Sequence, residues 1–302
     1  MPSATIVIPA YNEAGAIGGV IRQLQEVLHR DGIEGEILVV VDGATDDTAT
    51  EAKSAGARVI EHPRNAGYGR SLKTGILAAT HDLIAITDAD GTYPAERIPE
   101  LLKLAERFDM VVGERTGVHY QGTLAKQLGR IVFRWLSEFA AGQRIPDINS
   151  GLRVFRRSDI VPYFPVISAG FSFTTTCTLV YLLNGLFVEY RPVEYHQRHG
   201  QSKVHHLRDS LRALQIIVEA ILRCNPIKMF LLLALPFAIL TLPLLWWGIA
   251  TRSTAGLICS AISLSTAALI LGLGFVAVAC RPRESKPIST IASQLQTADR
   301  RP

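Results

Sequence analysis

The chain has 302 residues, of which 48% are hydrophobic and 19% are charged, and its formal net charge is +4. This length allows one large domain or two smaller ones. The mild positive charge, with no basic run carrying interleaved aromatic residues, argues against nucleic acid as a partner and favours anionic lipid head groups. The four cysteines have neither paired nor metal-ligand spacing, which predicts free thiols in a reducing compartment. The first residues lead straight into a strand-like run, so no signal peptide is expected.

Strand and helix signals alternate through residues 1–90. Short β-branched runs predict strands, and the periodic segments between them predict helices. Because strands that alternate with helices form parallel sheets with right-handed crossovers, the pattern predicts an α/β architecture with its polar loops gathered at one edge. The predicted strands are 5–8, 36–41, 58–60 and 83–87, and the predicted helices are 16–29, 46–55 and 72–80.

Asp88 and Asp90 form the most informative motif of the chain. They directly follow the buried strand predicted at 83–87, and Gly91 comes next. Open α/β sheets bind their ligands at the carboxyl ends of the strands. Two carboxylates this close repel each other unless a cation lies between them, and Mg²⁺ carrying a diphosphate uses one or two protein carboxylates. The alternative is an acidic turn, in which Asp and Gly serve only the backbone conformation.

Three further polar loops are predicted at the same sheet edge. Residues 9–13 follow the first strand, Asp42 ends the second, and residues 65–70 follow the third. The glycines of the third loop would let the backbone approach a ligand closely. Each loop by itself is explained as a turn, but four in succession favour a binding pocket.

The chain continues with strands predicted at 110–113, 154–155 and 188–190, and with helices at 124–140 and 171–183. On the first of these helices, basic residues recur at every fourth position on one face, at Lys126, Arg130 and Arg134. Apolar residues then recur at helical spacing within 204–224. This spacing predicts an amphipathic helix lying in the membrane interface, with packing against the globular domain as the alternative.

Two long apolar stretches close the chain. The stretch 227–250 carries a single charge, Lys228, and 255–280 carries none, and each exceeds the roughly 20 residues that cross a bilayer as a helix. We therefore predict two membrane spans in a tight antiparallel pair in preference to a buried hairpin. By the positive-inside rule, the basic residues flanking the pair predict that both termini and the N-terminal domain are cytoplasmic. These basic residues are Arg208, Arg212, Arg223 and Lys228 before the pair and Arg281, Arg283 and Lys286 after it, against Arg252 alone in the connection.

Taken together, these motifs resemble glycosyltransferase family 2, whose members have the GT-A fold. More narrowly, they are similar to the polyprenyl-phosphate glycosyltransferases of the dolichol-phosphate mannose synthase group. The similarity covers about residues 4–205, in the family's order. The motifs that carry it are Ile-Pro-Ala-Tyr-Asn-Glu (8–13), Val-Asp-Gly-Ala-Thr-Asp (41–46), Asn-x-Gly-x-Gly (65–69), Asp-Ala-Asp-Gly-Thr-Tyr-Pro (88–94), Gly-Glu-Arg (113–115), Asp-x-Asn-Ser-Gly-Leu-Arg (147–153) and Tyr-x-x-Arg-x-Gly-x-Ser-Lys (195–203).

The resemblance implies a role for each matching residue. Asp88 and Asp90 would hold Mg²⁺ or Mn²⁺ against the donor diphosphate, and Asp147 would be the carboxylate that faces the acceptor. Asp90, Asp147, Arg115 and Arg130 are the implied catalytic residues. The residues implied to bind the UDP- or GDP-sugar donor are Pro9, Tyr11, Glu13, Asp42, Asn65, Gly67 and Asp88. Those implied to bind the acceptor phosphate are Arg115, Arg130, Ser150, Arg198, Ser202 and Lys203.

The implied organisation is a GT-A catalytic domain (1–203), a juxtamembrane amphipathic helix (204–226), a transmembrane hairpin (227–280) and a polar cytoplasmic tail (281–302), which is predicted to be disordered after Lys286. The implied activity is inverting, metal-dependent transfer of one sugar to undecaprenyl or dolichyl phosphate at the cytoplasmic face of a bacterial or archaeal plasma membrane. A phosphate nucleophile is already anionic and needs little help from a general base. Asp147 is therefore interpreted as a base, as a residue that orients arginines, or as a turn carboxylate.

The sequence departs from the family at three places. It has one acidic residue, Asp42, where two are usual, and Thr92 replaces another polar residue of the metal shell. The threonine run that follows Phe173 replaces an acidic stretch common in mannose synthases, so mannose is not assumed. Arg134, Arg153 and Arg156 are interpreted as solvated surface residues.

Two other functions were weighed against this one. A processive polysaccharide synthase would carry Gln-x-x-Arg-Trp after its catalytic carboxylate, whereas Arg134-Trp135 lies before Asp147 and lacks the glutamine. The other is a catalytically silent membrane scaffold. The sugar, nucleotide, lipid length and oligomeric state are left open, with a homo-oligomer among the alternatives.

Overall fold

The computed structural model describes residues 3–117, 124–197 and 226–280, with single residues at 215, 218, 219 and 222. The chain divides into two compact units, Met1–Ala220 and Ile221–Pro302. The predicted juxtamembrane helix (204–226) falls almost entirely outside the described residues. The predicted polar tail (281–302) falls wholly outside them.

A seven-stranded sheet forms the centre of the first unit, in the order β3-β2-β1-β4-β6-β5-β7. Neighbouring strands are parallel except where β6 pairs with β4 and β5. This topology confirms the predicted α/β fold with a mostly parallel sheet. The strands are β1 (Ser3–Ala10), β2 (Glu34–Asp42), β3 (Arg58–His62), β4 (Leu83–Ile86), β5 (Met110–Thr116), β6 (Arg153–Arg156) and β7 (Val188–Glu194).

Helices connect the strands and cover the sheet. They are α1 (Ile17–Arg30), α2 (Thr48–Ser54), α3 (Tyr68–Ala78), α4 (Ile98–Leu104), α5 (Leu124–Ala141), α6 (Arg157–Ile160) and α7 (Phe173–Leu183). The short helices α4 and α6 are not among the predicted elements. Helix α3 begins before the predicted 72–80 because Gly67, at φ 103°, turns the chain and its carbonyl accepts the amide of Arg70.

Apolar side chains of the central strands point alternately to two buried layers. Ile6 and Ile8 of β1 pack in one layer with Ile21 of α1, and Val7 packs in the other with Leu72 of α3. Full burial of each such side chain contributes about 1.5–3 kcal/mol. The sheet is therefore packed between helices on both faces. The polar loops begin at the carboxyl edge of this packed sheet.

The second unit contains two antiparallel helices, α8 (Pro226–Ala250) and α9 (Thr254–Ala279), of 25 and 26 residues. Their ends approach closely, since a Cβ added to Gly256 would lie 2.7 Å from the Cα of Gly248. The Ser263 hydroxyl also donates to the carbonyl of Phe237 across the pair. Both helices are long and apolar enough to cross a membrane, and most of their surface is not buried within the protein. They match the two predicted spans.

Candidate active site

Three parallel strands bring the predicted polar loops to one edge. Strand β1 lies between β2 and β4, so their carboxyl ends are neighbours. The loop after β1 is tied to the loop after β2, because Thr48 Oγ1 accepts the amide of Glu13 at 2.8 Å and Asn12 Oδ1 accepts the amide of Thr45 at 2.8 Å. Pro9, Tyr11 and Glu13 are all half-buried at this edge. The sequence correctly places these residues beside the end of β2.

Asp42 organises the loop that follows β3. Its carboxylate is buried and accepts the amides of Ala66 at 2.9 Å and Gly67 at 2.8 Å, while Nδ1 of His62 lies 2.7 Å from Oδ1. The exposed Asn65 stands at the tip of this loop. The structure thus gives Asp42 a role that the sequence did not predict, which is to shape the loop at the predicted donor site.

Asp88 and Asp90 are each oriented by a hydroxyl group. Thr92 donates to Asp90 Oδ1 through its hydroxyl at 2.7 Å and through its amide at 3.2 Å. Tyr68 donates its hydroxyl to Asp88 Oδ1 at 3.1 Å. Gly151 packs against the other side of Asp88, where an added Cβ would lie 2.7 Å from Oδ2. Both carboxylates are therefore held in fixed directions.

This pair fits a hard divalent cation. Carboxylate oxygens are the preferred ligands of Mg²⁺ and suit Mn²⁺, and Mg²⁺ usually keeps only one or two protein carboxylates beside phosphate and water. Outer hydrogen bonds such as those of Tyr68 and Thr92 are what hold metal-binding carboxylates in place. Within residues 3–117, 124–197 and 226–280, no group of three or more His, Cys, Asp or Glu side chains is placed to hold a metal.

Arg115, at the end of β5, forms a bidentate ion pair with Asp147. Its Nε donates to Oδ2 at 2.7 Å, its Nη2 donates to Oδ1 at 2.8 Å, and its amide also donates to Oδ2 at 3.2 Å. Burial favours a raised pKa for Asp147, but the charge and hydrogen bonds of Arg115 outweigh it and lower the pKa below its ordinary value. Asp147 is therefore ionised at neutral pH. The guanidinium also lies over the ring of Tyr195, 5.6 Å from its centroid.

Arg153 is fully buried, which corrects its interpretation as a solvated residue. It lies on β6, between β4 and β5, and there its guanidinium donates to the carbonyls of Ile148 and Ser150 and to the hydroxyl of Thr178, at 2.7–2.8 Å. The bonds to the two carbonyls hold the loop that carries Asp147 against β6. By contrast, Arg134 is exposed, as predicted. Arg156 is half-buried and donates to the carbonyl of Ala105.

Ser150 is also fully buried, and its hydroxyl donates to the carbonyl of Gly113 at 2.5 Å. This placement favours a structural role over the phosphate contact predicted from sequence. The amide of Gly151 donates to the hydroxyl of Tyr93 at 2.7 Å, and the Tyr93 ring meets Tyr195 edge-on at 5.4 Å. The loop bearing Asp147 is thus fastened to the loop at 88–94, and the Tyr93 ring of that loop also contacts the segment after β7.

Four predicted phosphate ligands remain, and their side chains are not among those that the structure describes. Arg130 belongs to the described backbone of α5, but its side chain is not described. Arg198, Ser202 and Lys203 lie outside the described residues. The segment leading to them is anchored at the site, because the amide of His196 donates to the carbonyl of Thr92 at 2.9 Å.

The threonine run at the start of α7 contacts the loop that carries Asp147. Thr175, in the first turn of α7, donates to Oδ1 of the exposed Asn149 at 2.8 Å. The loop before α7 is held by Lys73, whose ammonium donates to the carbonyls of Phe164 and Ile167, and it brings Phe171 to 6.2 Å from the ring of Tyr68. The threonine run that distinguishes the sequence therefore supports Asn149 beside Asp147.

Tyr68, Tyr93, Gly151 and Arg153 have no role predicted from the sequence, although all four lie within the family motifs. Their contacts could not be predicted, because each contact depends on which loops meet in space. A tyrosine between the two glycines of Asn-x-Gly-x-Gly was the signal available for Tyr68.

Comparisons with known proteins agree with this geometry. The family model described as glycosyl transferase family 2 matches residues 5–164. A dolichyl-phosphate hexose transferase of Haloferax volcanii is 32% identical, over 66% of this chain and 85% of that protein. The low-salt glycan biosynthesis hexosyltransferase Agl6 of the same organism is 31% identical over 72% of this chain, which spans about half, 53%, of its length.

Solved structures with a similar fold include glucosyl-3-phosphoglycerate synthase from Mycobacterium tuberculosis. Its complex with Mn²⁺, UDP-glucose and phosphoglyceric acid superposes with a TM-score of 0.58 at 17% identity, over 72% of this chain and 79% of that one. At this identity the similarity bears on the fold alone. It confirms the predicted GT-A architecture.

Proposed function

The chain belongs to glycosyltransferase family 2, an enzyme family that transfers hexoses, and on this premise we propose that it moves one sugar from a nucleotide-sugar to a polyprenyl phosphate. The acceptor would be undecaprenyl or dolichyl phosphate, and the anomeric configuration would invert. A dolichyl-phosphate hexose transferase among its relatives supports the acceptor class.

One structural relationship carries this proposal. Gly151 packs directly against the Asp88 carboxylate, and it belongs to the loop that presents Asp147 to Arg115. An anionic, cation-binding pair and a guanidinium are thereby joined through one rigid loop. Such a site suits a reaction in which a diphosphate leaves and a second phosphate attacks.

The donor would occupy the edge formed by β1, β2 and β4. We assign its nucleotide to the loops at 9–13 and 65–67, the second of which Asp42 holds in place. Asp88 and Asp90 would hold the Mg²⁺ or Mn²⁺ that, when bound, neutralises charge on the leaving diphosphate. Tyr68 and Thr92 keep these carboxylates aimed at that position.

The acceptor phosphate would lie beside Arg115, assisted by Arg130, Arg198, Ser202 and Lys203. An oxygen of this phosphate forms the new bond to the anomeric carbon from the face opposite the leaving diphosphate, whose bond to that carbon breaks. No proton has to be removed from an anionic phosphate near neutral pH. The lowered pKa of Asp147 makes it a weak base, so we assign Asp147 to orienting Arg115.

The two apolar helices α8 and α9 support attachment to a membrane. We propose that they anchor the protein where a lipid-linked phosphate is available, with the catalytic domain on the cytoplasmic side as the basic flanking residues predict. The juxtamembrane helix predicted at 204–226 would lie at the same interface.

The decisive experiment offers radiolabelled UDP- and GDP-sugars to the full chain, reconstituted with undecaprenyl or dolichyl phosphate. We expect one labelled sugar to appear in the organic-extractable product, and we expect a chelator to prevent this. Asp90→Ala should abolish transfer while the protein stays folded and membrane-bound. Asp31→Ala is the matched control, since Asp31 is an acidic residue that directly follows α1 and pairs with Arg30 at the surface.

Two outcomes would contradict the proposal. Transfer only to water-soluble acceptors would exclude the lipid acceptor but leave the glycosyltransferase activity intact. Full turnover by Asp90→Ala would remove the metal assignment. Donor hydrolysis and sugar transfer should be followed together, because a silent scaffold would show neither.

A further inference from the structure

Thr175 directs its hydroxyl away from the helix that carries it. A threonine within a helix commonly donates to the carbonyl one turn earlier. On α7, Thr178 does this, donating to the carbonyl of Thr174 at 3.0 Å. Thr175 instead donates to Oδ1 of Asn149 at 2.8 Å. Because Thr175 is buried and Asn149 is exposed, the bond joins a buried support to a side chain at the surface of the candidate site.

This hydrogen bond fixes the direction of the Asn149 amide. Its oxygen accepts from Thr175, so its NH₂ group, with two donors, points to the other side. The backbone of Asn149 is held as well, because its amide donates to Oδ1 of Asp147 at 3.1 Å. No residue that the structure describes accepts a hydrogen bond from Nδ2. The arrangement therefore leaves two oriented donors for a ligand.

Asn149 lies between the two charged parts of the candidate site. Two residues before it, Asp147 pairs with Arg115. Two residues after it, Gly151 packs against Asp88. In the proposed reaction the leaving diphosphate lies at Asp88 and the acceptor phosphate at Arg115. The transferred sugar has to lie between these two groups, beside the loop segment that carries Asn149.

The segment leading into α7 borders the same space. The ring of Phe171 lies 6.2 Å from that of Tyr68, whose hydroxyl donates to Asp88. Four residues later, Thr175 contacts Asn149. A single short stretch of chain thus touches both sides of the space in which the sugar would lie.

The chemistry of an oriented NH₂ group suits a sugar hydroxyl. A hydroxyl oxygen has two lone pairs and accepts a hydrogen bond from an amide, whereas a carboxylate at the same position could only accept one. A site built to bind a hydroxyl in this way discriminates against the analogue that lacks it, because the group that should bind it then has no partner.

We propose that Asn149 donates a hydrogen bond to one hydroxyl oxygen of the donor sugar, and that Thr175 is the positioning residue that keeps the amide turned toward it. This role rests on the proposed function, and it adds a residue that selects the sugar. Neither the metal nor the lipid acceptor is contacted by this pair.

The test measures kcat/KM on a series of donors. The full chain, reconstituted with polyprenyl phosphate, is given the UDP- or GDP-sugar that it transfers and the deoxy analogues of that donor, each lacking one sugar hydroxyl. Asn149→Ala should lower kcat/KM for the parent donor about 10-fold, the scale of one hydrogen bond. For one deoxy donor the variant and the wild type should have equal kcat/KM, because the contact is absent in both. A purely structural effect would not single out one hydroxyl.

The positioning role is tested by two substitutions of Thr175. Thr175→Val removes the hydroxyl at similar shape, and it should lower kcat/KM for the parent donor about 3- to 10-fold, with the loss absent for the same deoxy donor. Thr175→Ser keeps the donor group and should restore the wild-type values. Asn184→Ala is the matched control, since Asn184 directly follows α7 and its side-chain amide donates to the carbonyl of Val180 at 2.7 Å. It should change kcat/KM for no donor.

Three results would overturn the proposal. Equal losses for the parent donor and every deoxy donor in Asn149→Ala would mean that Asn149 only shapes the loop. A wild-type kcat/KM in that variant would mean that it does not contact the sugar. Wild-type discrimination in Thr175→Val would remove the positioning role. Absence of transfer by the wild-type protein would refute the proposed function itself, so the two failures are distinguishable.

Discussion

The guanidinium of Arg115 and the carboxylate of Asp147 are joined by two parallel hydrogen bonds of 2.7 and 2.8 Å. Only 17% of the Arg115 side chain and 3% of the Asp147 side chain are exposed, so the pair is largely withdrawn from water. A buried pair of this geometry fixes the orientation of the guanidinium plane. Asp147 thus holds Arg115 in one orientation at the candidate site.

Asp147→Asn tests this orienting role. Loss of the carboxylate leaves Arg115 without its counter-charge and should lower kcat about 100-fold, the scale of losing one preorganised donor. The pKa of Asp147 is lowered, so the ion pair is fully formed above the ordinary aspartate pKa and is lost as pH falls through the lowered value. Because the orienting role needs the ionised carboxylate, Asp147→Asn should lose any acidic limb that Asp147 gives to the wild-type profile of kcat/KM against pH. A wild-type kcat in Asp147→Asn would contradict the orienting role.

Gly151→Ala should impair the proposed metal site with little loss of stability. The added Cβ would lie 2.7–2.9 Å from the carboxylate atoms of Asp88, so the carboxylate has to move. We expect the metal concentration for half-maximal activity to rise at least about 10-fold, as when a supporting contact of a metal ligand is lost. Gly19→Ala is the control, because Gly19 lies within α1 and an added Cβ meets nothing within 4 Å. It should leave activity unchanged and raise stability by as much as about 1 kcal/mol.

Much of this site could be predicted because its parts are local in sequence. One strand run ends in Asp42 and another leads directly into Asp88 and Asp90, which places these carboxylates at one edge of a parallel sheet. Burial of Arg153 could not be predicted in this way. Arg153 is buried because β6, which comes later in the chain than β4 and β5, inserts between these two strands and pairs antiparallel with both.

The predicted contacts of Asp42 and Ser150 are incomplete for a related reason. A sequence indicates which side chains can bind a ligand. It does not indicate which of these side chains already form hydrogen bonds with backbone groups of the folded protein. The amides of residues 66 and 67 engage Asp42, and the Ser150 hydroxyl is taken by the carbonyl of Gly113. The two long apolar helices were predictable at nearly their full length, because composition alone marks a membrane-length segment.

Tyr68→Phe removes one hydrogen bond from Asp88, a proposed metal ligand. Burial, together with the charge of Asp88, holds the pKa of Tyr68 well above its ordinary value, so the hydroxyl keeps its proton and donates. Its loss should raise the metal concentration for half-maximal activity about 10-fold, with a smaller change in kcat at saturating metal. Tyr163→Phe is the control, since Tyr163 lies in the turn after α6. An unchanged metal requirement in Tyr68→Phe would contradict the orienting role.

Arg153→Lys should destabilise the loop that carries Asp147. A lysine ammonium cannot reproduce the planar arrangement in which Arg153 reaches two carbonyls and the Thr178 hydroxyl. Buried acceptors left without a donor should cost about 2 kcal/mol of unfolding free energy, measured by thermal unfolding of the detergent-solubilised full chain. Arg156→Lys, at a half-buried site on the same strand, should cost less. Equal losses would mean that the contacts of Arg153 are not what hold the loop.

The stability of the protein should depend on pH through Glu36, which lies near the start of β2, at the end of the sheet away from the candidate active site. Burial tends to raise its pKa, but hydrogen bonds from Thr80, Arg58 and Thr5 outweigh this and lower the pKa from 4.5 to about 2. Because the folded-state pKa is the lower one, the stabilisation is complete above pH 4.5 and disappears as pH falls toward 2. Glu36→Gln should therefore be less stable than wild type at pH 7, by about 1 kcal/mol since solvent screens the pair. This difference should shrink to nothing near pH 2 in thermal unfolding, whereas a constant difference would show that lost packing, and not the carboxylate charge, causes it.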